Sequence, residues 1–289
     1  MHSGRILIFV FCCLILSGKI CFASDAQREA EFADEIMKTR HIGKMIWLKS
    51  EEKKFLGLYT ETEKKTSKGT VIILHDQGGH PNQQQLIKAM QTFLPEHRWS
   101  TLSLQMPVRE MGADEDDYFI LFPEALARIE AGIKFLQTNQ ADPIVLAGYG
   151  LGALMAVYAQ SERATKISAL VAISLAVPET QHKSAQTLEF IKTIKVPMLD
   201  VFAERDLPEV VGSARNRRVA AKENAVFRQD KINDENHLYQ HDEGMVVKRI
   251  YSWIERVTAG EESSDKTSTN SILQINSRPN DHKGAAPPR

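Results

Sequence analysis

The chain has 289 residues, 43% of them hydrophobic and 25% charged, with a formal net charge of −1 at pH 7. That balance suits a globular protein, with length for one large α/β domain or two small ones. It supplies neither the basic footprint of a nucleic-acid binder nor a polybasic anchor.

Arg5 precedes an apolar run from Ile6 to Leu16, and Cys21-Phe22-Ala23 offers small residues at the two cleavage-determining positions. Residues 1–23 therefore read as a secretory signal peptide, too short and wrongly flanked for a stable membrane span. A retained anchor is the alternative, and Lys19-Ile20 before Cys21 do not suit a lipoprotein signal. Cleavage would remove Arg5 and Lys19 and carry the net charge from −1 to −3. It would also remove Cys12, Cys13 and Cys21, the only cysteines. An exported chain would then have no disulfide, no cysteine nucleophile and no thiolate metal site.

Asp25 to Thr39 is a charged lead-in helix with a thin apolar face of Phe32, Ile36 and Met37. Met45–Leu48 and Phe55–Thr60 read as edge strands of a mixed sheet. Gly69–Leu74 is a continuous β-branched run, the mark of a strand covered on both faces, and it ends in His75-Asp76-Gln77-Gly78-Gly79-His80. A helix over Gln83–Leu94 and a strand over Trp99–Leu104 follow, then an acidic loop over Arg109–Asp117. Phe122, Leu126, Ile129, Ile133 and Leu136 place a helix over Leu121–Gln137.

Ile144–Ala147 is the next buried strand. It breaks at Gly148-Tyr149-Gly150-Leu151-Gly152 into a helix from Ala153 to Ser161, a corner that needs small residues. Ile167–Leu175 and Val196–Phe202 continue the sheet, with a short helix over Thr187–Ile194 between them. An Arg-rich helix over Val211–Asn224 reads as solvated at Arg215, Arg217 and Arg218. A last strand over Ala225–Lys231 leads to a loop, Asn233–His237, and a closing helix lined by Val246, Ile250, Ile254 and Val257. Residues 259–289 are too polar to bury a core and read as a disordered tail. The expectation is one α/β domain over 24–258, with a mostly parallel sheet and helices on both faces.

Ligands in such sheets sit outside the carboxyl ends of the strands. Those ends carry His75 to Gly79, Gly148 to Gly152, Asp206 and His237. Elbow, acid and histidine come in the chain order of the Gly-x-Ser-x-Gly hydrolases. On these residues, with Trp99–Pro107 and Asp234–His237, the chain resembles the α/β-hydrolase-fold superfamily. More narrowly it resembles an uncharacterised family of exported bacterial hydrolase-like proteins with no assigned activity, over roughly Lys44–Val257.

The resemblance implies that Asp206 is the triad acid and His237 the base. It also implies that the backbone N–H groups of Gln77 and Leu151 are the oxyanion-hole donors, beside His75, Gly148 and Tyr149. It departs at two places. Asp76 stands where a glycine usually follows the histidine, and Gly150 stands where the nucleophilic serine should be. Glycine supplies no nucleophile. Ser174 and Ser103, on neighbouring strands, are the candidate displaced nucleophiles, and Tyr149 is a poor third because of its high pKa.

Gly148 to Ala153 also fits a loose dinucleotide pattern, but the next strand ends without the carboxylate such a site uses, so no cofactor is implied. His75, Asp76 and His80, or His237, His241 and Asp242, do not close a metal ligand set. Two functions remain: a ligand- or partner-binding protein with a cleft left open above Gly150, and an esterase with a displaced serine.

Overall fold

The structure, a computed structural model, describes residues 24–275 apart from 52 and 164. The signal-peptide expectation for 1–23 lies outside the described residues. The elements run, in chain order, α1 (Ala26–Lys38), β1 (Lys44–Ser50), β2 (Lys53–Thr60), β3 (Gly69–Leu74), α2 (Leu86–Glu96), β4 (Trp99–Leu104), α3 (Glu115–Tyr118) and α4 (Phe122–Thr138). They continue with β5 (Ile144–Tyr149), α5 (Leu151–Glu162), β6 (Ala169–Ile173), α6 (Thr187–Thr193), β7 (Met198–Arg205), α7 (Pro208–Ala220), β8 (Phe227–Asn236) and α8 (Glu243–Ile275).

The eight strands form one sheet in the order β1-β2-β4-β3-β5-β6-β7-β8. β1 and β2 pair antiparallel with each other, and β2 pairs antiparallel with β4. Every later pairing is parallel. Strands buried on both faces favour near-continuous apolar runs, and β3, β5 and β6 meet that demand, with Thr70 of β3 the buried exception. Successive side chains go to opposite faces. Ile72, Leu74, Leu146 and Leu170 join the core under α4, α5 and α6. Val71, Ile73, Val145 and Val171 join the core under α2 and α8. α1 lays Ala33 and Ile36 on Leu56 and Leu58 of β2, while Met37, expected on that face, is exposed.

Several boundaries differ from the sequence reading. The acidic stretch before α4 contains α3, capped reciprocally by Asp114 and Asp117. β8 runs on through Asn233–Asn236, read above as loop, because a register shift opposite Ala203 and Arg205 lets its pairing with β7 resume at Asn236. α8 continues past Val257 to Ile275. The tail expected over 259–289 therefore begins inside α8, where no proline precedes Pro279 to stop a helix, and 276–289 lie outside the described residues. Among the described residues no helix is long and apolar enough to cross a membrane.

Arg217 is the clearest departure on α7. It is not solvated: it is fully buried and forked onto Asp200 of β7, with Nε to Oδ2 at 2.8 Å and Nη2 to Oδ1 at 3.2 Å. Its Nη1 donates to the Val210 carbonyl and to Ser213 Oγ, and Gln229 donates to Asp200 Oδ2. Arg217 lies on the buried face of α7 with Val210, Ser213, Ala214 and Ala220, where a buried aspartate on the adjoining strand needs a cation. Replacing Arg217 by Met leaves that carboxylate without its charge partner, so urea denaturation should show a loss of about 3–5 kcal/mol. Arg217→Met combined with Asp200→Leu should recover much of it.

Candidate functional site

The carboxyl ends of β3, β5, β6, β7 and β8 open on one edge of the sheet. They deliver Asp76, Gly150, Ser174, Asp206 and His237 there in turn, all but the glycine with a polar side chain. The turn after β5 brings Gly150 to φ 55° and ψ −121°, a backbone state that disfavours residues with a side chain. A Cβ on Gly152 would strike the carbonyl oxygens of His75 and Leu74, so β3 and α5 meet there with no room for one.

The place of the missing serine is filled. A Cβ added at Gly150 would overlap the Asp76 carboxylate and lie 2.7 Å even from its farther oxygen. Asp76 Oδ1 accepts the backbone N–H of Leu151 at 2.7 Å and that of Gln77 at 2.7 Å. These are the two donors that the resemblance assigns to the oxyanion hole, and both point at one internal carboxylate oxygen. The room expected above Gly150 is therefore taken up by Asp76, whose side chain remains 20% exposed.

Asp76 Oδ2 lies 2.9 Å from His237 Nε2, and Asp206 Oδ1 lies 2.7 Å from His237 Nδ1. Carboxylates on both sides require both ring nitrogens to donate, which makes the ring an imidazolium. Burial alone would depress its pKa, but the hydrogen bonds to Asp206 and Asp76 and the charges of both outweigh that and push it up to about 9. Asp206 takes four bonds in all, from His237, Ser174 Oγ at 2.6 Å, and the N–H groups of Ala203 and Leu207. Burial raises the Asp206 carboxyl, yet those donors together hold it below the usual carboxylate range.

The remaining residues read from the sequence are placed as follows. Tyr149 donates its hydroxyl to the His237 carbonyl at 2.8 Å and stacks on the imidazole, with ring centroids 5.3 Å apart. His75 is buried, and burial drops its pKa to about 4. As a neutral ring it donates from Nδ1 to the Asp76 carbonyl and accepts the Met106 N–H at Nε2, bracing the turn that carries Asp76. Ser174, at φ 54°, spends its hydroxyl on Asp206 Oδ2 and on the Tyr239 hydroxyl at 2.9 Å. Ser103 is buried on β4 and its hydroxyl has no hydrogen-bond partner among the described residues. Neither serine meets His237, whose two nitrogens are both taken by carboxylates. No group of three or more metal-ligating side chains occurs among the described residues.

One further carboxylate feels the charge of the site. Glu115 opens α3, and burial together with the charges of Glu209, Asp76 and Asp116 raises its pKa to about 7. Sequence reasoning left Glu115 in a loop and weighed Asp76 as a departure from the hydrolase pattern and as a metal ligand. The signal lay in the pair: an aspartate gained at 76 and a serine lost at 150 balance each other in volume.

A family model described as a protein of unknown function (DUF3530) matches residues 23–115 and 123–256. The chain belongs to that family. No curated relative matches it. Among solved structures, it is similar to Est1E from Butyrivibrio proteoclasticus, with TM-score 0.60, 16% identity and coverage of 74% of this chain and 99% of that one. It is similar to the Pyrococcus furiosus esterase Pf2001, with TM-score 0.60, 18% identity and coverage of 74% and 92%. It is also similar to a dienelactone hydrolase from Anabaena variabilis, with TM-score 0.58, 17% identity and coverage of 75% and 99%. At these identities the likeness shows the fold: this member of the family is an α/β-hydrolase-fold protein.

The charge state of His237 is open to test. A folded pKa above the unfolded value of 6.5 contributes stability that is fully present below pH 6.5 and is lost as pH rises through about 9. The Asp206 contribution has the opposite sense: it is present above the usual carboxylate range and fades as pH falls. An NMR titration of the His237 ring should give a midpoint near 9 in the parent protein, moving down toward 6.5 in Asp76→Asn. An unmoved midpoint would mean that Asp76 does not hold the proton.

Proposed function

We propose that this is an exported α/β-hydrolase-fold protein that does not carry out serine-type acyl transfer and that binds its ligand or partner where Asp76 and His237 meet solvent. One observation carries the reading: the Asp76 carboxylate takes both hole donors and the volume of a side chain at position 150. Serine-type acyl transfer needs a neutral base within reach of a hydroxyl, and a vacant pair of donors for the developing oxyanion. Here the base is held as a cation and the donors are occupied. Export rests on the sequence of residues 1–23. The binding position rests on the partial exposure of Asp76 and His237, at 20% and 16% of their side-chain surface.

A fluorophosphonate probe should label no serine in the purified protein. The single change Gly150→Ser should unfold or displace the Asp76 turn, because the new side chain and the carboxylate compete for one space. Asp76→Gly with Gly150→Ser removes that competition and leaves Asp206 and His237 in place. The double variant should take up the probe at position 150 and hydrolyse p-nitrophenyl acetate on the order of 10²-fold faster than the parent. Labelling of Ser174 or Ser103 in the parent, abolished by His237→Ala, would sink the proposal.

A further inference from the structure

We propose that cleavage after Ala23 creates an internal binding partner: the α-ammonium released on Ser24 pairs with Glu29 and Glu124 and fixes α1 against β2 and α4. This goes beyond the preceding reading and rests on its export part alone.

Ser24 already stands beside those carboxylates. Asp25 caps α1, its side chain accepting the Arg28 N–H at 3.0 Å. Ser24 is then the residue before the cap and Glu29 the fourth residue of the helix, two positions that pack against each other at a helix entry. Ser24 is buried, and its Oγ donates to Glu124 Oε1 at 3.0 Å. The Asp25 N–H donates to the Val108 carbonyl at 2.8 Å and pins the backbone beside it. Covalent geometry keeps a serine nitrogen within about 4 Å of its own Oγ. Cleavage turns that nitrogen from an amide into a cation.

The buried part of the cluster is short of positive charge. Arg128 serves both carboxylates through one nitrogen, Nη2 lying 2.9 Å from Glu29 and 2.6 Å from Glu124. Its Nη1 goes to the Gln105 carbonyl at 2.9 Å. Lys53 reaches Glu124 at 2.9 Å, but from an exposed position. Glu29 has no cation besides the shared Arg128 among the described residues, and burial raises its carboxyl above the usual range even so.

An acceptor without a donor lies on the same wall. Ser24, Glu29, Arg128 and Gln105 line one cavity of about 310 Å³, which gives an ammonium room. Gln105 is 2% exposed, and its Oε1 has no hydrogen-bond partner among the described residues. Its Nε2 donates to the Met106 carbonyl at 2.8 Å and to His75 Nε2 at 3.1 Å. Turning the amide round would set its oxygen against two acceptors, so Oε1 is the atom left over. An ammonium has three hydrogens to give, and two carboxylates and this oxygen match them.

α1 carries the effect toward the strand ends. Arg28 donates to the Gly78 carbonyl at 3.3 Å, in the turn that presents Asp76, and to the Arg109 carbonyl. Lys54 at the cavity's edge, with Asp25 and Arg28 on α1's first turn, completes the charges around the new cation. An unfolded α-amine titrates at about 7.7–8.0, and the two carboxylates raise it in the folded chain. The resulting stability is fully present below the unfolded value and is lost as pH rises through the folded one.

The test expresses the full chain in a secreting bacterial host. The purified protein is compared with the same chain carrying Gly-Gly before Ser24, which moves the ammonium outward. Intact mass should place the exported N-terminus at Ser24. In urea at pH 7 the form starting at Ser24 should have a folding equilibrium constant on the order of 10-fold larger. That gap should close as pH rises through the folded α-amine value, while the His237 contribution, common to both forms, cancels. It should shrink in Glu29→Gln and in Glu124→Gln. A second measurement needs no variant: acetylation by trace acetic anhydride, followed by mass against pH, should show an α-amine titrating above about 7.7–8.0. Equal stability of the two forms, or an α-amine at or below that range, would overturn the proposal and leave export standing. Exported protein that begins at another residue, or stays uncleaved, would overturn the reading of residues 1–23 beneath it.

Discussion

A single carboxylate oxygen shared by two backbone N–H groups organises this site. Asp76 Oδ1 accepts from Gln77, on its own turn, and from Leu151, at the start of α5. It thereby ties the end of β3 to the end of β5 at the point where the two elements pack most closely. Such a bond to a charged acceptor is roughly twice as strong as a neutral one. It also fixes what position 150 can be, because any side chain there would lie inside the carboxylate. Gly150 and Asp76 are one feature seen at two places in the chain.

The fold holds that feature from below. Parallel strands point every loop of the site to one edge, and small residues at the β5–α5 corner let the helix start directly over β3. His75 braces the Asp76 carbonyl from its buried side, and Tyr149 anchors the backbone of His237. Tyr239 and Ser174 complete the shell around Asp206, both at positive φ. Strain of this kind persists only where surrounding contacts over-determine the conformation, and here those contacts are the ones that aim the acid at the histidine.

The architecture was legible in the sequence because it is written in local terms. Runs such as Val71–Leu74 and Ile144–Ala147 have one reading, a strand covered on both faces, and Leu126, Ile129 and Ile133 have one reading, a helix face. The chain order of elbow, acid and histidine placed Asp206 and His237 at adjoining strand ends. What escaped was whatever depended on a partner distant in sequence. Arg217 looked solvated because nothing near it in the chain reveals Asp200, which lies under it only after β7 and α7 pack. Asp76 looked like a blemish in the oxyanion turn because its partners, Leu151 and His237, lie 75 and 161 residues away. β8 ran longer than its composition suggested because pairing with β7 extends it.

The charge on His237 follows from the same substitution. In a serine-type triad the histidine must be neutral at the start, with one nitrogen on the acid and the other free to accept the hydroxyl proton. Exchanging a neutral hydroxyl for a carboxylate reverses the demand on that second nitrogen, which must now donate. The ring becomes a cation held between two anions, and its pKa rises to about 9. Both ring nitrogens face carboxylates, and neither is free to accept a proton from a hydroxyl.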